Sequence, residues 1–417
     1  MFKSYITILL MLASSSLLGA NIFLLEQIQS ESEKIEKKDW LNSMPEISYD
    51  NGLAIESKKK IAKTTVCFRM QNMVGMTLDD NFNLDRTTAY VRRLRLSLKG
   101  YVYSPKYTYT IMLGFAPAEM RNSPNGNNKA LIDAVFDYKP NNAWQISFGQ
   151  RKLAFNREQM NSSIRSQFID RSIMNKTFRV GRDFGVFGAY CKNLGEAFHV
   201  VANASVTLGE GVNYISSSKS GFAYTSKLEL YPMGKFASNS QQAEGAYVEE
   251  EGVKMMIAGG YLYNDKAKRT GGQEGALFID DKARRNLHNY FFDLTLKYKG
   301  FAFYTDWMSR MCNNPVVEKE NLLDQCVYSG NGVNIQGSYT FDKKWELALR
   351  NSILMPNKIT SEMVGYDSYN QSTIGLTRYI WGNNIKLQAD ASYNVMNGRL
   401  QSEYNPFEFR FQLELGF

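Results

Sequence analysis

The chain has 417 residues, a formal net charge of +8, 13% aromatic residues and nine prolines. This length fits two or three soluble domains or one large barrel. Beyond the N-terminus no apolar run is long enough for a membrane helix, which excludes helical membrane proteins. A transmembrane β-barrel lacks such runs too, since its lipid-facing residues occupy alternate positions. Soluble and membrane-embedded β architectures therefore remain.

The N-terminal stretch MFKSYITILLMLASSSLLGA has the features of a secretory signal peptide. Lys3 precedes an apolar run, and small residues follow it up to Ala20, so residues 1–20 are expected to be removed. Residues 21–63 are polar and charged, which predicts a periplasmic segment that is partly helical or disordered. From residue 64 to residue 417 an alternating pattern replaces the helical period, which predicts a β domain.

Apolar and polar residues alternate in many segments of this domain. In the segment FEFRFQLELGF, Phe409 and Phe411 flank Arg410, and the pattern continues to the end. A period of two places the apolar set on one face of a strand and the polar set on the other. Such segments, from 64–77 to 406–417, predict an all-β transmembrane antiparallel barrel of about 16 strands. The last strand is expected to close against the first, with odd residues facing lipid and even residues facing the lumen.

The connections alternate between short and long ones. Tight turns such as YSPKY, KYKGF and IWGNNI are separated by long polar stretches such as LAFNREQMNSSIRSQFIDRSIMNKTFRVG. Short turns at one end and long loops at the other are typical of outer-membrane barrels, whereas a soluble sandwich has no reason to sort its loops. The connection from Tyr231 to Gly252 is the exception, because it is long and falls on the short-turn side.

Basic residues lie on the polar faces of several predicted strands. In YVRRLRLSLKGYVY the leucines form one face, so the basic residues of the other face point into the lumen. The inward-facing basic residues predicted in this way are Arg69, Arg93, Arg95, Lys99 and Arg151. Arg92 is out of phase and is expected near a membrane interface, where a long basic side chain can reach the headgroups.

The third long connection adds further positive charge. It contains Arg157, Arg165 and Arg171, and Arg182 follows at its end. If this loop folds into the barrel, it narrows the pore with positive charge, and partly desolvated Arg and Lys side chains favour anions. The planar guanidinium suits phosphate or carboxylate. Alternatively, these arginines pair with lipopolysaccharide or with nearby carboxylates.

Cysteine and histidine are too few for common metal or catalytic sites. Cys312 and Cys326 flank a polar stretch and could close a loop disulfide in an oxidising compartment. His199 and His288 are the only histidines and no CxxC spacing occurs, so neither a zinc site nor a His-dependent triad is supported. The stretch DDNFNLD lacks the glycine and the glutamate of a calcium loop. We therefore expect no catalytic residue, metal or cofactor.

Six stretches of the chain resemble stretches of a known family in their residues, order and spacing. They are VRRLRLSLKG, GQRKLAFNREQMNSS, FIDRS, GRDFGVFG, KLELYPMG and GLTRYIWGNNIKLQADASYN. Together they span most of residues 50–417, and they resemble the phosphate-selective porin O and P family. The resemblance implies a trimeric 16-stranded outer-membrane channel whose third extracellular loop folds into the pore. Phosphate-selective members use basic residues along the pore, a role that would fall on Arg93, Arg95, Arg151 and Arg157.

These observations predict an outer-membrane porin that lets small anionic solutes, such as phosphate, diffuse passively. The expected partners are those solutes, outer-membrane lipid and lipopolysaccharide, and two further copies in a homotrimer. The barrel assembly machinery is a further partner, because the strand ending in Phe417 resembles the signature that it reads. Secretion and alternating strands argue against nucleic acid.

Three alternatives remain open. The barrel could be structural or adhesive, with a pore plugged by its loops. It could be an enzyme such as an outer-membrane lipase or protease, which needs a nucleophile beside a base. Neither His199 nor His288 has a convincing partner for that role. Finally, the chain could be a soluble secreted sandwich, which would fold without detergent.

Overall fold

The computed structural model describes most of the predicted β domain. The described residues are 44–49, 51–117, 119–120, 130–195, 197–214, 221–318, 324–363, 365–397 and 405–417. The predicted signal peptide and residues 21–43 of the predicted periplasmic segment lie outside them. No helix in these ranges is long and apolar enough to cross a membrane.

The described residues form 22 strands, numbered here in chain order. They are β1 (Glu46–Tyr49), β2 (Leu53–Glu56), β3 (Ala62–Leu78), β4 (Leu84–Val102), β5 (Ser104–Gly114), β6 (Leu131–Tyr138), β7 (Trp144–Lys152), β8 (Arg182–Leu194), β9 (Phe198–Thr207), β10 (Ala223–Tyr231), β11 (Lys254–Ala267), β12 (Arg269–Gly271), β13 (Glu274–Leu277), β14 (Arg285–Tyr298), β15 (Phe301–Met311), β16 (Val316–Val317), β17 (Gln325–Cys326), β18 (Gly330–Phe341), β19 (Trp345–Pro356), β20 (Ser368–Trp381), β21 (Ile385–Asn397) and β22 (Phe407–Gly416). The short helices are α1 (Arg157–Met160), α2 (Ile173–Phe178) and α3 (Lys358–Ser361), and the 3-10 turns are Ser163–Arg165 and Ala237–Gln242.

Most of these strands close into one barrel. The main sheet contains 18 strands, of which β1 and β2 form an added hairpin, so 16 remain for the wall. These follow one another as antiparallel neighbours, and β22 pairs with β3, with Phe411 opposite Val74. Closure gives each of these 16 wall strands a hydrogen-bonded neighbour on both sides, which removes the free edges that would otherwise attract other chains. The predicted antiparallel barrel of about 16 strands is confirmed.

Side chains alternate between the two faces of the barrel wall. On β22, Phe409, Phe411 and Leu413 are exposed on the outer face, whereas Arg410 and Gln412 are buried on the inner face. The same alternation runs along β18, β19 and β20. The outer wall is therefore apolar and the inner wall mostly polar, as the alternation predicted. A barrel of this width is not filled by its own wall side chains, which leaves room for water and inserted loops.

Short turns lie at one end of the barrel. The turn at Lys299 and Gly300 places both residues in the left-handed region, with φ of 41° and 86°, as a two-residue hairpin turn requires. Residues 232–253, between β10 and β11, are the long exception at this end. At the other end most connections are longer, and the longest fully described one is residues 153–181.

The hairpin of β1 and β2 extends the wall at the short-turn end. β2 pairs with the start of β3, with Leu53 opposite Val66, below the level that β22 reaches. The ring of Tyr49 stacks on Trp381, with centroids 5.6 Å apart. Alternating apolar residues such as Ile47 make these short strands two-faced. Residues 46–56, which lie within the predicted polar segment, thus continue the barrel sheet.

The four cysteines are free, so the predicted disulfide between Cys312 and Cys326 is not formed in the structure. Both are buried, and Cys326 lies opposite Val316 in the hairpin of β16 and β17. Cys312 packs with Val317 and Val327 in an apolar loop cluster. Burial raises the pKa of both thiols, so they stay neutral. Apolar packing, instead of a covalent bond, orders this loop.

Candidate functional site in the barrel lumen

The third loop, defined as residues 153–181, packs against inward-facing side chains of the wall. Its Phe155 and Phe178 share one buried apolar cluster with Leu262 of β11 and Phe291 of β14. Apolar side chains facing a wet lumen would be unfavourable, and here the loop covers them. An apolar core therefore holds the third loop against the part of the wall formed by β11 and β14.

Carboxylates on the same side of the wall bind the start of the third loop. The Nδ2 of Asn156 donates to Asp306 over 2.7 Å, and the backbone N–H of Arg157 donates to Asp293 over 2.8 Å. These bonds satisfy donors at the start of α1, where a helix leaves its first N–H groups unpaired. They fix the position of α1 against β14 and β15.

A buried charge cluster completes this attachment. The Arg157 guanidinium lies 2.5 Å from Glu229, and the Lys227 ammonium lies 2.9 Å from the same carboxylate. The hydroxyl of Tyr231 also donates to Glu229. Arg157, predicted from the sequence as a pore-lining residue, is therefore engaged in a buried structural pair.

Asp170, near the middle of the loop, attaches it to the opposite part of the wall. Its carboxylate pairs with Arg92 of β4, with Arg410 of β22 (2.8 Å) and with Lys176 of the loop (3.0 Å). Burial alone would raise the pKa of Asp170, but the charges of Lys176, Arg92 and Arg410 outweigh it and hold that pKa well below its usual range. The carboxylate stays ionised and keeps the loop attached.

A β-bulge turns Arg92 into the lumen. The register of β3 and β4 shifts between Gln71, opposite Arg93, and Asn72, opposite Val91, so Arg92 is an extra residue on β4. The prediction that Arg92 lies at a membrane interface is therefore wrong. The bulge lets two consecutive arginines face inward, which a regular strand cannot do.

Five basic side chains come together where the third loop meets β4, β7 and β8. This basic cluster consists of Arg93, Arg95, Lys152, Arg171 and Arg182. Lys152 of β7 lies opposite Arg182 of β8. The side chains of Lys152 and Arg171 both donate to the backbone oxygen of Asn161. Arg93 and Arg95 occupy two successive inward-facing positions of β4. Like charges held this close repel one another, and an anion between them would relieve the repulsion.

Carboxylates neutralise only part of the basic cluster. Arg95 pairs with Glu119 over 2.5 Å, and Arg182 pairs with Asp133 over 2.7 Å. Arg93 instead donates to the side-chain oxygen of an amide, that of Gln71, over 2.6 Å.

Backbone oxygens are the partners of the other two members. Lys152 and Arg171 donate to oxygens of the third loop, including that of Asn161. Within the described residues, Arg93, Lys152 and Arg171 have no ion-pair partner. The basic cluster therefore keeps an excess of positive charge.

Two other predicted residues face inward beside the basic cluster. Arg69 donates to the hydroxyl of Ser162 in the third loop over 3.0 Å. Arg151 pairs with Asp137 over 3.2 Å, and its side chain is 32% exposed. Both face the lumen as the alternation predicted, and both have a carboxylate partner, since Arg69 also lies 3.9 Å from Glu414.

The last two predicted residues lie toward the short-turn end. Lys99 is exposed and shares its face of β4 with the buried Ser97. Arg165 donates to Gln242 over 3.1 Å, a contact between the third loop and the 232–253 connection. Neither belongs to the basic cluster.

Sequence reasoning missed Lys152 and Arg350 as inward-facing basic residues, whereas Arg410, an even residue of the last strand, is buried on the inner face as the alternation predicted. Arg350 lies 4.4 Å over the ring of Phe168 in the third loop. Arg350 occupies a polar position of the alternating segment WELALR, so the same period would have identified it. For Lys152 no signal exists, because the backbone is irregular at Gly149, where φ is 129°.

The geometry alone defines a class of protein. A closed barrel of this size, with an apolar outer wall and a mostly polar inner wall, is the architecture of an outer-membrane channel.

Solved structures share this fold at low sequence identity. The outer membrane channel DcaP of Acinetobacter baumannii aligns with a TM-score of 0.53 at 13% identity, over 87% of this chain and 99% of that one. A trimer form of the outer membrane protein OmpT of Vibrio cholerae aligns with a TM-score of 0.51 at 12% identity, over 85% and 99%. An anion-selective porin from Comamonas acidovorans aligns with a TM-score of 0.50 at 8% identity, over 85% and 100%.

Residues 64–249 match the family model of phosphate-selective porin O and P, which confirms the family resemblance over that span. A search of curated proteins gave no match. The chain is an outer-membrane porin: a passive diffusion channel of the bacterial outer membrane and not an enzyme.

Proposed function

We propose that this porin prefers small anions, such as phosphate, and that the basic cluster attracts them. The observation that carries the proposal is the excess of positive charge, because Arg93, Lys152 and Arg171 have no ion-pair partner within the described residues. Partly desolvated basic groups attract anions and repel cations. Guanidinium groups can also donate two N–H bonds to one oxyanion.

The third loop is proposed as the narrowest part of the pore. Its start is bound to β14 and β15 through Asp293 and Asp306, and Asp170, further along the loop, is bound to β4 and β22 through Arg92 and Arg410. These two groups of strands lie on nearly opposite sides of the barrel. A loop attached to both must cross the lumen, and the basic cluster lies beside it.

The reversal potential in a planar bilayer under a potassium chloride gradient tests the anion preference. We expect a value toward the chloride equilibrium potential for the natural chain. Arg93→Ala combined with Arg95→Ala should lower the permeability of a monovalent anion about fivefold, and the anion-to-cation ratio by at least as much, since two charges at about 8 Å contribute about 1 kcal/mol in water.

Arg378→Ala is the matched control for this test. Arg378 lies on the outer wall, 4.8 Å over the ring of Trp345, so its removal should leave the reversal potential unchanged. A natural chain that favours cations would refute the anion preference. A chain without conductance would point to the plugged barrel, an outcome that the many contacts of the third loop make worth testing.

We also propose a homotrimer, assembled by the barrel assembly machinery through the strand ending in Phe417 and surrounded by lipid and lipopolysaccharide. OmpT of Vibrio cholerae, which shares the fold, has been solved in a trimer form. Light scattering in mild detergent should give three times the protomer mass before heating and a single protomer mass after it. A protomer mass before heating would contradict the trimer.

A further inference from the structure

The long connection at the short-turn end, residues 232–253, is partly buried against the barrel. Within it, the segment 236–250, called here the inner segment, contains six buried residues. They are Phe236, Ser240, Glu244, Gly245, Ala246 and Glu250. Burial of two carboxylates in a connection at the barrel end needs specific partners, because an unpaired buried charge is costly.

A wall lysine holds the inner segment from inside the barrel. Lys297 of β14 is buried on the inner face, and its ammonium donates to the backbone oxygens of Ser240 (2.7 Å), Ala243 (2.9 Å) and Gly245 (2.5 Å). An ammonium has three N–H donors, so these bonds use all of them. The three carbonyls are thereby arranged around one inward-facing side chain.

The inner segment also contacts β19 and β20, which lie further round the wall from β14. A Cβ placed on Gly245 would lie 2.3 Å from a carboxylate oxygen of Glu346 on β19, so the backbone of the inner segment lies directly against that side chain. The ring of Tyr247 packs on Tyr379 of β20, with centroids 4.9 Å apart. The inner segment therefore lies against β14, β19 and β20 inside the barrel.

A carboxylate within the inner segment closes it on itself. Glu250 accepts the backbone N–H of Ala237 over 3.0 Å and the hydroxyl of Ser240 over 2.5 Å. Its backbone oxygen accepts the N–H of Lys299 over 3.1 Å in the neighbouring turn. These bonds give the segment a defined shape although it contains little regular secondary structure.

The inner segment meets the third loop in the lumen. The backbone N–H of Glu244 donates to the oxygen of Arg165 over 3.0 Å, and the backbone N–H of Gln167 donates to the Glu244 carboxylate over 3.0 Å. The Arg165 guanidinium donates to Gln242 over 3.1 Å. Gln167 in turn donates to Glu346 over 2.9 Å. The third loop and the inner segment therefore both contact this wall residue, since Gly245 also lies against it.

We infer that the inner segment is a second constriction element, which enters the pore from the periplasmic end and joins the third loop. The two together set the open cross-section, so the size limit of the channel depends on both ends of the barrel. This inference rests on the channel assigned above and concerns solute size, whereas the proposed anion preference concerns charge.

Lys297→Met tests the inference. The substitution keeps the length of the side chain and removes the donors that hold the inner segment. We expect single-channel conductance to rise about twofold, because conductance follows the open cross-section. Larger sugars should also enter liposomes faster. Lys299→Met is the control, because Lys299 lies at the exposed turn and its ammonium does not contact the inner segment in the structure.

A second variant protects the test against a simple folding defect. Replacement of residues 238–248 by a short glycine-serine turn should give the same rise, and heat-modifiable migration on gels reports a folded barrel. Equal conductance and sugar entry in all folded variants would overturn the inference and leave the anion preference standing. If the natural chain shows no conductance but either variant conducts, the inference is supported, and the proposal of an open pore in the natural chain is refuted.

Discussion

Arg93→Glu combined with Lys152→Glu should reverse the ion preference of the channel. Both side chains belong to the basic cluster and have no carboxylate partner within the described part of the chain. Each substitution changes the charge by two units. At about 8 Å in water the four units amount to about 2 kcal/mol for a monovalent ion, or about 30-fold in the permeability of the anion, with the opposite change for the cation.

The reversal potential under a salt gradient measures this effect. Arg378→Glu with Lys344→Glu makes the same change in charge outside the lumen, on the outer wall and on a periplasmic turn, and should leave the value unaltered. Arg93→Glu alone, with about half the change, serves if the double variant folds poorly. An unchanged reversal potential in folded variants would mean that ions pass elsewhere.

Glu229→Ala should loosen the start of the third loop and destabilise the barrel. The carboxylate compensates two buried cations, Arg157 at 2.5 Å and Lys227 at 2.9 Å. Removal of one partner from a buried pair leaves the other charge uncompensated, which costs about 3 kcal/mol. We expect a lower midpoint of denaturant unfolding in detergent and a larger, noisier single-channel conductance.

Glu249→Ala is the matched control. Glu249 pairs with Lys343 over 3.1 Å, but both side chains are largely exposed. Water and salt screen such a pair, so its loss should change the free energy of unfolding by less than about 1 kcal/mol. Equal effects of Glu229→Ala and Glu249→Ala would show that the buried charge cluster does not hold the loop.

The barrel could be predicted from the sequence because a two-residue period acts locally. Every second residue of a strand faces lipid and must be apolar, so each strand segment shows the alternation independently of the others. The predicted strand 143–152 and its outward Trp144 and Phe148 needed no knowledge of neighbouring strands. The inward positions of Arg69, Arg93 and Arg95 followed from the same period.

The partners of the inward-facing residues could not be predicted in this way. Arg157 and Arg93 have the same charge, but Arg157 is paired with Glu229 while Arg93 has only the amide of Gln71. These partners lie on distant parts of the chain, and no local pattern connects them. The bulge at Arg92 also depends on how two strands align, which changes the face of a residue without changing its sequence.

By itself the sequence determined the architecture: the strands, their faces, the end with short turns and the family match over residues 64–249. Only the tertiary structure decided which charges remain without a partner and which connections enter the lumen. The physical reason is that lipid contact is imposed residue by residue along each strand. Ion pairing and loop attachment, in contrast, depend on distances between segments that are brought together only when the barrel closes.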